Sequence, residues 1–130
     1  MRETIAVAIG GMFGSVLRYW ISRIFEQRGL EQRLESLLPL GTLLVNVAGC
    51  FAIGVLWAFT QRNTSISPVW ELALRAGFLG GLTTFSSFGL EVIKLGQSDR
   101  LPAAVMIVLA NVALGLSAIC LGQALGNRFS

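Results

Sequence analysis

The residues best suited to chemistry crowd into one stretch, Gly77-Phe-Leu-Gly-Gly-Leu-Thr-Thr-Phe-Ser-Ser-Phe88, inside an otherwise apolar run. Adjacent glycines followed by paired hydroxyls argue that the backbone leaves the helix there. At membrane depth such backbone survives only when buried in protein or facing a water-filled path. Carbonyls freed around Gly80–Thr83 form a cluster of hard oxygens that suits a small cation such as sodium. Phe85 and Phe88 stand three apart and share a face of any helix that follows. They are either packing or, because a phenyl edge is electropositive, a surface for a small anion. Thr83, Thr84, Ser86 and Ser87 supply hydroxyls nearby, either for freed backbone groups or for an ion.

Two further residues belong to the same chemistry. Asn46 offers two N–H donors and an acceptor without charge, as helix–helix glue or as an anion donor. Arg18 is costly inside a span. It either snorkels to the interface or forms an electropositive vestibule. Uncharged donors suit conduction, which needs binding firm enough for entry and weak enough for exit.

The inventory excludes other chemistries. Histidine is absent, and Cys50 and Cys120 lie in apolar runs without metal-type spacing. They read as small buried hydrophobes. No nucleophile stands near a base, and no acidic pair occupies an apolar interior, so no enzyme is expected. No basic patch with interleaved aromatics is present, so nucleic-acid binding is not expected either.

The elements that position these residues follow from hydropathy. Of 130 residues, 54% are hydrophobic and 13% charged, against about 25% charged in soluble domains. Crossing lipid takes about 20 apolar residues as helix. Four spans are predicted in one domain over residues 1–130: about 4–25, 40–59, 69–95 and 102–125, the third broken near Gly80–Thr84. Small residues such as Gly10, Gly11 and Gly14 suit close helix contacts. Tyr19 and Trp20 suit an interfacial belt. Pro39 and Pro68 mark helix starts, and Gly126-Asn127 is expected to cap the last span.

An even number of crossings puts both ends on one side. That face holds Arg2, Arg62, Arg75 and Arg128, and the other Arg23, Arg28, Arg33, Lys94 and Arg100. Four against five gives almost no Lys/Arg bias to orient the chain. Dual insertion and an antiparallel homodimer are therefore expected, an inverted arrangement that other proteins build from internal repeats.

Three motifs then match in order and spacing: Gly10-Gly11-Met-Phe-Gly14-Ser-Val-Leu-Arg18-Tyr19, Gly41-Thr-Leu-Leu-Val-Asn46-Val-Ala-Gly49, and Gly80-Gly-Leu-Thr-Thr-Phe85-Ser-Ser-Phe88. Through them nearly the whole chain resembles the small bacterial fluoride channels of the Fluc (CrcB) family. The resemblance implies an all-α, antiparallel, dual-topology homodimer with two fluoride pores in the bacterial cytoplasmic membrane. It implies passive export of fluoride that lowers its toxicity. It implies a path lined by Phe85 and Phe88, with hydroxyls of Thr84 and Ser87 beside it, and fluoride accepting the Asn46 amide. Arg18 matches the vestibule arginine. A structural, non-transported sodium ion is implied at the dimer centre, held by the carbonyls of Gly80 and Thr83 from both copies. Ser87 replaces a more usual threonine and keeps the hydroxyl. The fourth-span pore hydroxyls have no clear counterpart, Ser117 being the nearest. The competing reading is a small four-span proton-coupled multidrug transporter. It needs a carboxylate buried in the first span, where only Glu3 stands, at the edge.

Overall fold

The computed structural model describes residues 1–27, 39–62 and 66–129. The described residues are almost wholly helical. Helix α1 spans Arg2–Gln27 and α2 Leu40–Arg62. The third crossing is composite. It comprises α3 (Pro68–Leu72), seven π-helical residues (Ala73–Leu79), α4 (Gly80–Leu82), two extended residues, and α5 (Phe85–Gln97). Helix α6 spans Leu101–Phe129. All four crossings are long and apolar enough to traverse a membrane.

The backbone break is narrower than Gly80–Thr84. Gly80 keeps helical angles (φ −64°, ψ −35°), and only Thr83 (φ −81°, ψ 154°) and Thr84 (φ −149°, ψ 121°) are extended. Upstream of it, the i→i+5 bonding of the π segment continues into Gly80, whose amide donates to the Arg75 carbonyl. Seven π-helical residues are unusual, since such segments mostly appear as single-turn bulges near functional sites. The expected cap at Gly126-Asn127 is not formed. Gly126 lies buried within α6 against Ala58 and Val55, and the helix continues to Phe129. The Glu26–Glu35 connector falls mostly outside the described residues, Arg28 and Arg33 with it. After α5 the chain turns at Ser98 and Asp99, the latter with φ 56°.

The helices pack in two pairs that are not sequence neighbours. α1 lies along the π segment and α4, and α2 lies along α6. Lipid tails are as apolar as leucine, so close contact between small residues must hold such pairs together. The seams bear this out. A Cβ on Gly14 would fall inside the Phe78 carbonyl, one on Gly81 would strike Gly11, and one on Gly122 would fall inside the Phe51 carbonyl. The buried apolar cluster is small: Val45, Leu79 and Leu82, flanked by partly buried Ile21, Ala52, Ile53, Leu56 and Phe78. Most of α1 is exposed, including Phe13, Val16, Tyr19 and Trp20.

Gly14→Val is expected to destabilise the purified protein by about 1–3 kcal/mol through overpacking, read as a lowered detergent-unfolding midpoint. Gly96→Ala is the control, because nothing lies within 4 Å of a Cβ there.

Candidate functional site

The break is held by one side chain from α2. Thr84 N–H donates to Asn46 Oδ1 at 2.9 Å, and Asn46 Nδ2 donates back to the Thr84 carbonyl at 3.1 Å. A carboxamide thus replaces the neighbouring turn for both backbone groups of one residue. Asn46 Nδ2 also donates to Asn111 Oδ1 on α6 at 3.1 Å, and Asn111 Nδ2 donates to the Ile107 carbonyl at 3.1 Å. Asn46 therefore joins α2, the break and α6, with both of its amide hydrogens engaged.

The carbonyls around the break differ in what they accept. The Leu79 carbonyl accepts from Thr83 N–H at 3.0 Å and from the Thr83 hydroxyl at 2.9 Å. Arg18 Nε donates to the Gly81 carbonyl at 3.0 Å, so Arg18 closes the end of α4 from the α1 side. The carbonyls of Gly80 and Thr83 are among those whose i+4 amides go elsewhere. Thr84 N–H goes to Asn46, and Ser87 N–H goes to Thr84 Oγ1 at 3.2 Å. Those two carbonyls fit a hard monovalent cation in donor type. Among the described residues no group of three His, Cys, Asp or Glu side chains could hold a metal instead.

Beyond the break, Thr84 caps α5. Its hydroxyl accepts the Ser87 amide, donates to the Ser87 hydroxyl at 3.1 Å and lies 3.2 Å from that of Ser86. The positive end of the α5 dipole therefore opens at the break. The rings of Phe85 and Phe88 lie 5.5 Å apart at a 57° tilt, yet their settings are opposite. Phe88 is buried and Phe85 is 83% exposed.

These residues face an open groove of about 460 Å³ between α2, the third crossing and α6. Asn46, Gly80, Thr83, Thr84, Phe85 and Phe88 all line it. Ser87 lies beneath Thr84, bonded to it, and Arg18 stands on the far side of the break; neither lines the groove. The fourth span contributes Asn111 and not Ser117, which is exposed elsewhere on α6. Asn111 and Arg75 are the groove residues that sequence reasoning left without a role. Asn111 carried a signal, as a carboxamide in a span interior. Glu91, midway along α5, accepts the Thr42 hydroxyl at 2.5 Å and so ties α5 to α2.

Fold and site together define a small multi-pass membrane protein, built round a broken helix and a groove where neutral polar groups meet one charged side chain, Arg75. The chain belongs to the CrcB-like family (camphor resistance, CrcB), whose model matches residues 5–123. It is 43% identical over 126 residues to the fluoride-specific ion channel FluC 1 of Yersinia pestis, covering 97% of this chain and 94% of that one. It is 37% identical over 122 residues to FluC of Acidobacterium capsulatum, covering 94% of each. With FluC of Serratia proteamaculans it shares 46% identity over 113 residues, covering 87% and 84%.

Asn46→Ala is expected to cost about 1–3 kcal/mol, because it strands both backbone groups of Thr84. Asn111→Ala is expected to cost only about 0.6 kcal/mol, the average for a membrane side-chain hydrogen bond. Unfolding of both single variants and the double variant, combined as a cycle, measures the Asn46–Asn111 coupling.

Proposed function

We propose that this protein is a fluoride-selective channel that lets cytoplasmic fluoride leave the bacterial cell passively across the inner membrane. The observation that carries this reading is the match of nearly the full chain to relatives named fluoride-specific ion channels. The groove agrees with it chemically. A small, strongly hydrated anion needs donors in place of water, and fixed positive charge in contact with it would hold it too long. The Asn46 amide, the Thr84 hydroxyl, backed by that of Ser87, and the ring edges of Phe85 and Phe88 are such donors. Arg18 adds positive potential at the vestibule from behind the break. A multidrug exchanger is disfavoured, because α1 carries no acid between Glu3 in its first turn and Glu26 in its last.

In this reading the working unit is an antiparallel homodimer. The open groove and the exposed Phe85 ring support it, since an aromatic edge at 83% exposure lines no closed path within one chain. A second, inverted copy would cover the groove and bring its own Gly80 and Thr83 carbonyls to the centre. Four neutral oxygens could then hold a sodium ion, which would contribute fixed positive charge and join the two broken helices.

Liposomes loaded with fluoride and chloride and read by ion-selective electrodes test the function. Rapid fluoride efflux without chloride efflux is expected; equal leakage of both would exclude selectivity. Phe85→Ile keeps bulk but loses the ring edge. It is expected to slow efflux about fivefold to tenfold, the rate equivalent of ~1–1.4 kcal/mol of lost aromatic contact. For topology, a tag on either terminus is expected to react from both membrane faces. Labelling from one face only would refute dual insertion.

A further inference from the structure

A second cavity of about 270 Å³ adjoins the groove and shares Ile53, Arg75 and Ile119 with it. The two form one trench, running from Trp57 and Gln123 at the outer end to Asn111 and Phe88 at the inner end. Among the described residues two charged side chains line the trench, Glu71 in the outer part and Arg75 at the junction. Arg75 lies on the outward face of the π segment. Ala73 and Gly77 are buried, with Gly77 packed on Val7 and Gly10 of α1, while Leu74, Arg75 and Ala76 between them are exposed.

We propose that Arg75 is the anion-capturing residue of the trench, raising the local anion concentration at the junction before the ion reaches the uncharged donors around Asn46. Glu71 tempers that attraction. Its carboxylate lies 3.5 Å from the Arg75 guanidinium, one turn away on the same helical face. Both side chains are substantially exposed, at 43% for Arg75 and 29% for Glu71. A pair so exposed on the single chain is weak and leaves much of the guanidinium's field in the trench. The order along the trench matters as much as the net charge. Arg75 lines both cavities and Glu71 only the outer one, so the inner groove carries positive charge alone. Clefts lined by one sign of charge concentrate counter-ions and speed their entry. Arg18 does not line this trench, and its Nε is committed to the Gly81 carbonyl. Two arginines thus divide the work, Arg18 holding the break and Arg75 drawing anions to it.

The proposal rests on the anion-channel reading above, and its test includes a measurement that needs no conduction. Trp57 lines the outer cavity beside Arg75 and is 46% exposed. With Trp20→Phe and Trp70→Phe it becomes the single tryptophan, and its quenching by iodide is compared with quenching by neutral acrylamide. Arg75→Gln is expected to lower the iodide constant at least about twofold at low salt and leave acrylamide unchanged. Arg75→Lys should keep most of it, and Glu71→Gln should raise it. A rise on removing Glu71 and a fall on removing Arg75 cannot both come from misfolding. In liposomes at low ionic strength and sub-saturating fluoride, Arg75→Gln is expected to reduce fluoride flux about tenfold, the lower end of electrostatic focusing. Its flux should also lose sensitivity to salt. An iodide-to-acrylamide ratio that ignores all three substitutions overturns the proposal. Quenching that responds in a protein impermeable to fluoride would leave Arg75 as an anion attractor and remove the channel reading alone.

Discussion

A helix interrupted inside a membrane must find partners for the backbone groups it releases, and here one carboxamide supplies them. Asn46 accepts the amide of Thr84 and donates to its carbonyl, the reciprocal pairing that a neighbouring strand would give. Without this pair, both groups would be stranded, at a cost of about 1–3 kcal/mol. The rest of the site follows from it. Thr83 and Thr84 can stay extended, Thr84 can cap α5, and the carbonyls of Gly80 and Thr83 are left outside the helical ladder. Arg18 reinforces the break from the opposite side by serving Gly81.

That break can be placed only because the surrounding helices come unusually close. Gly10, Gly14, Gly77 and Gly81 let α1 and the first half of the third crossing touch backbone to backbone, and Gly54 and Gly122 do the same for α2 and α6. Gly49 joins the two pairs, since a Cβ there would strike the Thr83 methyl. The seams take the place of a large apolar core, which the described residues lack. They also leave one broad side of the molecule open, the side on which the trench lies.

Much of this was legible in the letters, for physical reasons. Four apolar runs of membrane length admit few alternatives to four helices, and glycines followed by threonines marked the break. What the letters blurred was its extent. Glycine permits departure from the helix without requiring it, and Gly80 and Gly81 turned out to serve close packing while Thr83 and Thr84 left the ladder. The same confusion put a cap at Gly126, which is small because Ala58 presses on it. Asn46 stood out as polar within an apolar run, but its engagement with Asn111 joins residues far apart in sequence and needs the packing of α2 on α6 to be seen. In the sequence Arg75 counted only as one of the charges on the membrane face that holds both ends. Only the packing of the third crossing beside α2 and α6, which hydropathy does not encode, shows that it faces the trench.

The hydrogen bonding of Asn46 bears on how a path could bind an anion without trapping it. Both Nδ2 hydrogens are already used, one by Thr84 and one by Asn111. In the proposed channel, fluoride reaching Asn46 must take a hydrogen from a neutral oxygen that already holds it. The Thr84 carbonyl is fixed by the break, so the exchangeable partner is the Asn111 side chain, whose own amide is tethered to Ile107. Swapping one acceptor for another conserves the number of hydrogen bonds, so the net gain is far below that of filling an empty site. Rapid release needs a shallow well of this kind. Positive charge contributes best at the approach, where Arg75 lies, and the least where the ion must let go.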